Sequence, residues 1–589
     1  MRVLVEKLLV SVFLAAFYSG CMVVSLEYDH TASIEASVVH CLGDPMKPLY
    51  KGGIVQNSEF NSGLMGWSTH RNVKAGVSRS PSGNKFAVVH GAGSYVSSSG
   101  KLLPSHSVYQ RIQMQSDRHY SLSAWLQVSN GTSAHVRAVI KSPNGERVIA
   151  GAIVAQSGCW SMLKGGMTAY SSGPAEIYFE SHAPVDIWVD SVSLQPFTFD
   201  EWDGHTRRSA DKVRRRTVKV VAMGANDKPM AHANVSIELL RLGFPFGNAV
   251  TKEILGLPAY EKWFTSRFSV ATFENEMKWY STEWTQNHED YRVPDAMMNL
   301  MRKYKIKVRG HNVFWDDQNS QMQWVKPLNL AQLKAAMQKR LKSVVSRYAG
   351  KVIHWDVVNE NLHFNFFETK LGPMASAQIY QQVGQLDRNA ILFMNEFNTL
   401  EQPGDPNPVP AKYVAKMNQI RGYAGNGGLK LGVGLESHFS TPNIPYMRSS
   451  LDTLAKLKLP MWLTEVDVVK SPNQVKYLEQ VLREGFAHPN VDGIVMWAAW
   501  HARGCYVMCL TDNSFKNLPV GDLVDKLIAE WKTHRASATT DHNGAVELHL
   551  PLGDFKFTVS HPSLKAAAVQ TMTVDNSASA SQHTINVKS

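Results

Sequence analysis

His354-Trp355-Asp356-Val357-Val358-Asn359-Glu360 is an apolar, β-branched run that stops abruptly at an amide and a carboxylate. A strand buried on both faces reads as a nearly continuous apolar run. In a barrel of parallel strands, polar residues collect at the C-terminal strand ends, where such folds place their chemistry. The pattern returns later in Pro460-Met461-Trp462-Leu463-Thr464-Glu465-Val466-Asp467. Working outward, the chain offers eight strand candidates separated by helical patterns: 244–250, 268–276, 308–315, 352–360, 390–398, 431–439, 461–468 and 493–500. Eight such alternations predict a (β/α)8 TIM barrel over residues 243–535, with polar or aromatic residues at each C-terminal strand end.

Two buried strands that each end in Glu supply what glycosidic cleavage needs. One carboxyl protonates the leaving oxygen and another stabilises or attacks the anomeric carbon. Residues 244–532 resemble a family 10 glycoside hydrolase, the endo-1,4-β-xylanase family. The motifs that carry the resemblance are Trp355-Asp356-Val357-Val358-Asn359-Glu360, Leu463-Thr464-Glu465-Val466-Asp467, Glu274-Asn275-Glu276-Met277-Lys278-Trp279 and Arg309-Gly310-His311-Asn312-Val313-Phe314-Trp315, in the family's order. The combination is most similar to plant members, which carry an N-terminal xylan-binding module.

The resemblance implies a role for each matched residue. Glu360 is the acid/base and must hold a raised pKa; Glu465 is the nucleophile and must stay ionised. Asn359 contacts the 2-hydroxyl of the reacting sugar. His438 bonds to Glu465, and Asp467 orients that histidine. Glu274, Asn275 and Lys278 grip hydroxyls on the non-reducing side, His311 and Trp315 frame the reacting sugar, and Trp497 and Trp500 form an aromatic wall. Two positions depart from many microbial members. Glu436 stands where they have Gln, which adds a carboxylate beside Glu465 and a route to pKa shifts by like-charge coupling. Asp316 stands where they have His.

The flanks of the barrel read as β-rich. Residues 217–242 and 536–589 each contain strand-like alternation but too few strands to bury a core alone. They are predicted to be the two halves of one small immunoglobulin-like β-sandwich into which the barrel is inserted. Residues 199–216 are charged and end in Arg214-Arg215-Arg216; they read as a linker with no assigned partner.

Residues 53–198 alternate with Gly, Ser and Asn punctuation and predict a β-sandwich of the jelly-roll kind. The opening Asn57-Ser58-Glu59-Phe60, followed by Gly66-Trp67, resembles a family 22 carbohydrate-binding module. That resemblance implies xylan binding through Tyr178 and Glu180, which share one strand face, with Arg71 and Tyr95 as further candidates. Asp190 and Glu59 are candidate carboxylate ligands for a structural calcium ion. No cofactor is expected for catalysis.

The 589 residues are 44% hydrophobic with a formal net charge of +11, enough chain for three or four domains. No nucleic-acid motif accompanies the basic charge; a polyanionic cell-wall matrix would retain such a protein by ion exchange. Residues 1–25 read as a secretory signal, with Arg2 and Lys7 before an apolar stretch, and residues 26–52 as an arm. No later segment is long and apolar enough to span a bilayer, so no membrane association is expected after signal cleavage. Secretion allows disulfides. With Cys21 removed, Cys41, Cys159, Cys505 and Cys509 allow three connectivities; Cys505–Cys509 with Cys41–Cys159 is the expected one. Asn130 and Asn234 begin glycosylation sequons.

The reading is therefore a secreted, cell-wall (apoplastic), monomeric, retaining endo-β-1,4-xylanase whose partner is xylan. The alternatives are a barrel glycosidase on another β-1,4-glycan, a transglycosylase, and a catalytically silent xylan-binding protein. The presence of both Glu360 and Glu465 argues against the last.

Overall fold

A computed structural model of the chain describes residues 41–70, 74–90, 95–96, 102–129, 131, 133–224, 228–576 and 582–586. The expected signal segment and the candidates Arg71 and Asn130 lie outside the described residues, as does the side chain of Tyr95. The chain forms two compact units.

The first unit gathers the N-terminal residues through Trp202 with Asn398–Met417 and Asn443–Leu459. It contains two five-stranded antiparallel sheets. One runs in the order Ser68–Thr69, Ser105–Met114, Gly173–Ser181, Ser133–Lys141, Arg147–Gln156. The other runs Ser161–Ala169, Arg118–Val128, Ile187–Thr198, Lys85–His90, Lys74–Arg79. Along Arg118–Val128 the alternate residues Tyr120, Leu122, Ala124, Leu126 and Val128 enter the core shared by the two sheets. Trp125 points the other way, into a second cluster with Phe86, Val88, Trp160 and Met162.

Leu42 and Leu49 of the expected arm cover that second cluster. Leu42 and Trp160 exchange backbone hydrogen bonds of 2.9 and 2.7 Å, and Cys41 is bonded to Cys159 beside them. Among the described residues of the arm, the disulfide thus pins a segment that gives two leucines to this cluster. Helix Ile444–Ala455 belongs to this unit, where Lys164 pairs with Asp452 at 3.2 Å and Asn443 bonds the Gly166 carbonyl at 2.9 Å.

The expected linker is a helix, Phe199–Arg214, running directly into strand Arg215–Met223. In the first unit, Trp202 packs against His119 and Phe197. In the second, the buried Arg214 guanidinium donates to the carbonyls of Phe486 (2.7 Å), His488 (2.9 Å) and Val491 (2.6 Å). The basic run therefore has a specific partner. A guanidinium offers several donors in a fixed planar fork and so can cap several carbonyls at once.

In the second unit, the segments flanking the barrel pair with each other. Arg215–Met223 lies antiparallel to Ala545–Pro551 and parallel to Gln582–Asn586. Asn234–Leu242 lies antiparallel to Ser537–Thr539 and to Gly553–Ser560. Val218, Val220, Val235, Ile237, Leu548, Leu550, Phe555, Phe557 and Ile585 share one core. Neither segment buries this core alone.

Between these segments lie eight parallel strands: β1 (Phe246–Val250), β2 (Val270–Phe273), β3 (Lys307–Gly310), β4 (His354–Asp356), β5 (Ile391–Glu396), β6 (Leu431–Leu435), β7 (Met461–Val468) and β8 (Val491–Met496). Each pairs with its neighbour, and β8 pairs with β1, so the sheet closes on itself. Close packing across adjacent strands is achieved by setting glycine beside a ring: Gly310 faces Trp355, Gly432 faces Phe393 and Gly493 faces Trp462. A Cβ at Gly310 would come within 2.3 Å of Trp355.

Several strands end sooner than the sequence pattern predicts. Phe314–Trp315 and Val358–Asn359 leave the barrel ladder and pair with each other, and His438–Phe439 pairs with Asp467 and Val468. β8 stops at Met496, before Trp497 and Trp500. The apolar run continues past the point where the barrel opens, so hydrophobicity alone does not mark the end of the ladder.

Candidate active site

Glu360 follows Val358–Asn359 with a backbone φ of +60°. A left-handed conformation costs a non-glycine residue about 1 kcal/mol or more. Here the turn is held by the Glu360 N–H on the Asn395 carbonyl at 2.9 Å. Glu465 lies within β7, its N–H on the Glu436 carbonyl at 2.9 Å. Both side chains line one cavity of about 480 Å³, together with Glu274, Asn275, Lys278, His311, Trp315, Asn359, Glu436, His438, Asp467 and Trp497.

The two carboxyl groups have different surroundings. Trp315 Nε1 donates to Glu360 at 2.7 Å and Asn359 Nδ2 at 3.2 Å. Burial, reinforced by the charges of Glu396 and Glu465, pushes the Glu360 carboxyl up to about 8. Asn395 Nδ2 donates to Glu465 at 2.9 Å, and His438 Nε2 and His311 Nδ1 stand 3.7 and 3.9 Å from its oxygens. Burial works against ionisation of Glu465, but His311, His438 and Lys278 outweigh it and hold the group down at about 2. Environments that push two carboxyls apart in this way separate a proton donor from an anion.

The supporting contacts form a chain. His438 Nδ1 meets Asp467 at 3.0 Å and its Nε2 meets Glu436 at 3.4 Å. Burial disfavours the imidazolium, yet Asp467, Glu436 and Glu465 raise its pKa well above the ordinary value. Burial, with the charges of Glu465 and Glu360, raises Glu436 well above the carboxylate range. His311 Nδ1 meets Asp356 at 2.8 Å, and Asp356 also accepts from Arg309 at 2.6 Å. Lys278 Nζ donates to Asn275 at 3.3 Å and lies 4.6 Å above the Trp315 ring. Burial lowers its pKa.

Residues 238–504 match the sequence profile of glycosyl hydrolase family 10. Endo-1,4-beta-xylanase 4 of Arabidopsis thaliana is 39% identical over 476 residues, which cover 78% of this chain and 84% of that protein. The chain belongs to glycosyl hydrolase family 10. Endo-1,4-beta-xylanase 5 of the same plant is likewise 39% identical, over 77% of this chain and 82% of its own length. Among solved structures, xylanase 10B from Thermotoga petrophila RKU-1 in complex with xylobiose aligns at 20% identity with a TM-score of 0.43, covering 49% of this chain and 94% of that one.

Not every expected residue of this family 10 hydrolase lies where the sequence analysis puts it. Trp500 is buried outside the lining set, packed against Tyr260 and Phe515, with its carbonyl accepting from Thr251 at 3.0 Å. It belongs to the packing behind the wall, and Trp497 alone of the pair faces the cavity. Asp316 is buried and accepts from Asn361 at 2.6 Å and from the Phe367 N–H at 3.0 Å, which makes it an anchor for the following helix, Phe366–Leu371.

In the N-terminal unit, Glu180 has no exposed side-chain surface, because Arg137 (2.6 Å) and Arg147 close on its carboxylate. Glu180 is thus buried and holds two guanidinium groups. Tyr178 is also buried, with the His106 and His70 rings 5.0 and 4.9 Å away. Asp190 is buried and accepts from Asn84 at 2.8 Å and from the Ser191 N–H at 2.7 Å, whereas Glu59 is paired with the Lys47 ammonium. Both cysteine pairs, Cys41–Cys159 and Cys505–Cys509, are bonded, and Asn234 is exposed.

Asn395 escapes the sequence analysis. Its Nδ2 is shared between Asn359 (3.0 Å), Glu436 (3.1 Å) and Glu465 (2.9 Å), and its Oδ1 accepts from Thr464 at 2.5 Å. A signal was present: Phe393-Met394-Asn395-Glu396 ends as Val357-Val358-Asn359-Glu360 does. Glu396, however, bonds the Leu362 N–H at 2.7 Å and His363 at 2.6 Å and does not line the cavity. Tyr280, which donates to Asn275 at 2.6 Å, and His501, 2.6 Å from Glu274, also join the site without a motif of their own.

Proposed function

We propose that this family 10 hydrolase cleaves internal β-1,4-xylosidic bonds of xylan with retention of anomeric configuration. One observation carries the reading: Glu360 and Glu465 face one cavity, the first in surroundings that favour its acid form and the second in surroundings that favour its anion. The Glu465 carboxylate attacks the anomeric carbon while Glu360 gives its proton to the departing glycosidic oxygen. The product is a glycosyl ester on Glu465 and a free sugar hydroxyl. Glu360, now ionised, takes a proton from water; the resulting hydroxide oxygen attacks the anomeric carbon, and Glu465 leaves as carboxylate. Asn395 and His438 bear on the Glu465 oxygens throughout, and Lys278 keeps the cavity from accumulating negative charge.

Xylan as substrate draws on the names of the Arabidopsis relatives and on the motif resemblance. The N-terminal sheets are assigned xylan retention, and the two disulfides support a secreted, cell-wall location. Asp190 and Glu59 are oxygen donors of the kind calcium takes. A cation there would displace the exposed Lys47 ammonium from Glu59. Millimolar calcium should then raise the melting temperature of the wild type and not that of Asp190→Asn.

The deciding experiment measures reducing ends released from xylan, with cellulose and mannan as controls, and follows the first-formed anomer by proton NMR. Release of the β anomer from xylan supports the reading. The α anomer, or no release from xylan, removes it.

A further inference from the structure

Three donor atoms meet at one corner of the cavity. Glu436 Oε2 stands 3.4 Å from His438 Nε2, and Glu465 Oε2 stands 3.7 Å from the same nitrogen. One ligand atom from each of the three residues lies within 4.8 Å of the other two. A divalent ion bonded at about 2.1 Å to nitrogen and oxygen sets tetrahedral donors about 3.4 Å apart. Two edges of the triangle have nearly that length. The third joins two carboxylates, which repel each other unless a cation lies between them.

The surrounding groups hold the donors in the orientation a metal requires. His438 Nδ1 meets Asp467 at 3.0 Å, which turns Nε2 toward the two carboxylates. A metal-binding imidazole almost always has such a partner on its other nitrogen. Asn395 Nδ2 holds Oε1 of both Glu436 (3.1 Å) and Glu465 (2.9 Å), which leaves each Oε2 for the corner. His311 also bears on Glu465, but at Oε1, 3.9 Å away. The Lys278 ammonium is placed on Asn275 at 3.3 Å and over the Trp315 ring. Asp467 is buried and lines the cavity, and its Oδ1 has no hydrogen-bond partner among the described residues. Three carboxylates thus surround one imidazole. His438 keeps 24% of its side-chain surface exposed, so an ion reaches the corner from solvent through the cleft.

We propose that Glu436, His438 and Glu465 form a binding site for a divalent transition-metal ion, zinc or copper(II), that reversibly inhibits the enzyme. The inhibition rests on the reading of Glu465 as the nucleophile; the site itself does not. One imidazole and two carboxylates suit such ions, with a fourth position open to the cavity. Calcium and magnesium take six or more ligands, nearly all of them oxygen, and the imidazole gives them none. The ligands bind in their deprotonated forms, so the ion replaces the protons of His438 and Glu436. While bound, it holds the Glu465 lone pair that attacks the anomeric carbon, and no glycosyl ester forms.

The test uses the full-length protein and zinc chloride alone. Equilibrium dialysis gives the zinc bound and its Kd. Reducing-end release from xylan at rising zinc gives the inhibition constant, expressed against each variant's own zinc-free rate. Wild type should bind one zinc ion per chain that Glu436→Gln and Asp467→Asn hold at least about 10–100-fold more weakly, the scale of losing a ligand or the group that orients one. The inhibition constant should equal that Kd, and millimolar magnesium should neither inhibit nor displace zinc. Cobalt(II) checks the geometry without any variant: wild type should give the strong visible bands of a tetrahedral ion, and zinc should abolish them. Zinc held equally by wild type and both variants, or cobalt bands of octahedral weakness, overturns the site. Zinc bound there with xylan hydrolysis unchanged at saturation overturns the inhibition. Wild type inactive on xylan overturns the assigned substrate instead, while dialysis and cobalt still decide the site, so the two failures are told apart.

Discussion

Asn395 donates from one amide nitrogen to Glu465 at 2.9 Å and to Asn359 at 3.0 Å, joining β5 to β7 and to the segment that follows β4. Its own oxygen is held by Thr464, so the amide cannot turn over and present an acceptor to the carboxylate. Asn395→Ala should lower kcat/KM about 100-fold, the scale of losing one preorganised donor to a reacting carboxylate. It should also move the acid limb of the pH profile upward, because the Glu465 anion loses a hydrogen bond. A folded variant with wild-type kinetics would remove Asn395 from the machinery.

Glu360→Ala and Glu465→Ala should fail differently. Without Glu360, an activated aryl xyloside still forms the glycosyl ester, since its leaving group needs little protonation. Breakdown then lacks a base, so a burst followed by slow turnover is expected, and azide should accelerate it. Without Glu465 neither burst nor azide rescue should appear. On xylan each loss should cost roughly a thousandfold or more. Identical profiles for the two variants would withdraw the assignment of roles.

The pH dependence follows from the two carboxyls. Catalysis needs Glu360 protonated, and that form is lost as pH rises through about 8. It needs Glu465 ionised, and that form is lost only as pH falls toward about 2. A kcat/KM profile, which reports the free enzyme, should therefore stay high from mildly acidic to neutral pH and fall on the alkaline side. Because Glu436 is also raised and faces Glu360, Glu465, His438 and Lys278, the alkaline limb belongs to the group of carboxyls, not to Glu360 alone. An alkaline limb near the ordinary carboxylate range would contradict the burial of Glu360.

Arg214→Leu should destabilise the protein without altering the cleft. It leaves the carbonyls of Phe486, His488 and Val491 without their donor, a loss of about 3 kcal/mol or more for buried groups. Arg214→Lys should recover little, since one ammonium cannot repeat the guanidinium fork. Urea denaturation with kinetics on the folded fraction checks both points: the midpoint should fall while KM stays within about twofold. An unchanged midpoint would show that those carbonyls find other partners.

The barrel and its two principal carboxylates were legible because each rests on a local signal. An apolar run that ends in Asn-Glu states both that a strand is buried and where it opens. The pairing of 217–242 with the far end of the chain was legible for a different reason: half a sandwich cannot bury its own core, so each half implied the other. The four cysteines could be paired because one pair is four residues apart. What local pattern left undecided was which side chains meet. Phe393-Met394-Asn395-Glu396 carries the same ending as Val357-Val358-Asn359-Glu360, yet its amide reaches Glu465 while its carboxylate turns to Leu362 and His363. Trp497 and Trp500 look alike in sequence, but β8 stops at Met496, and three residues of irregular backbone send one ring to the cavity and the other to Tyr260. Glu180 gives no sign in the sequence that Arg137, one strand away, and Arg147, two strands away, close on it. Arg214 reads as a solvated charge until the barrel offers it three carbonyls. In each case the partners lie some thirty to several hundred residues apart. Closure of a barrel or sheet brings them within about 3 Å, a distance at which burial and hydrogen bonding, not residue type, settle what a side chain does.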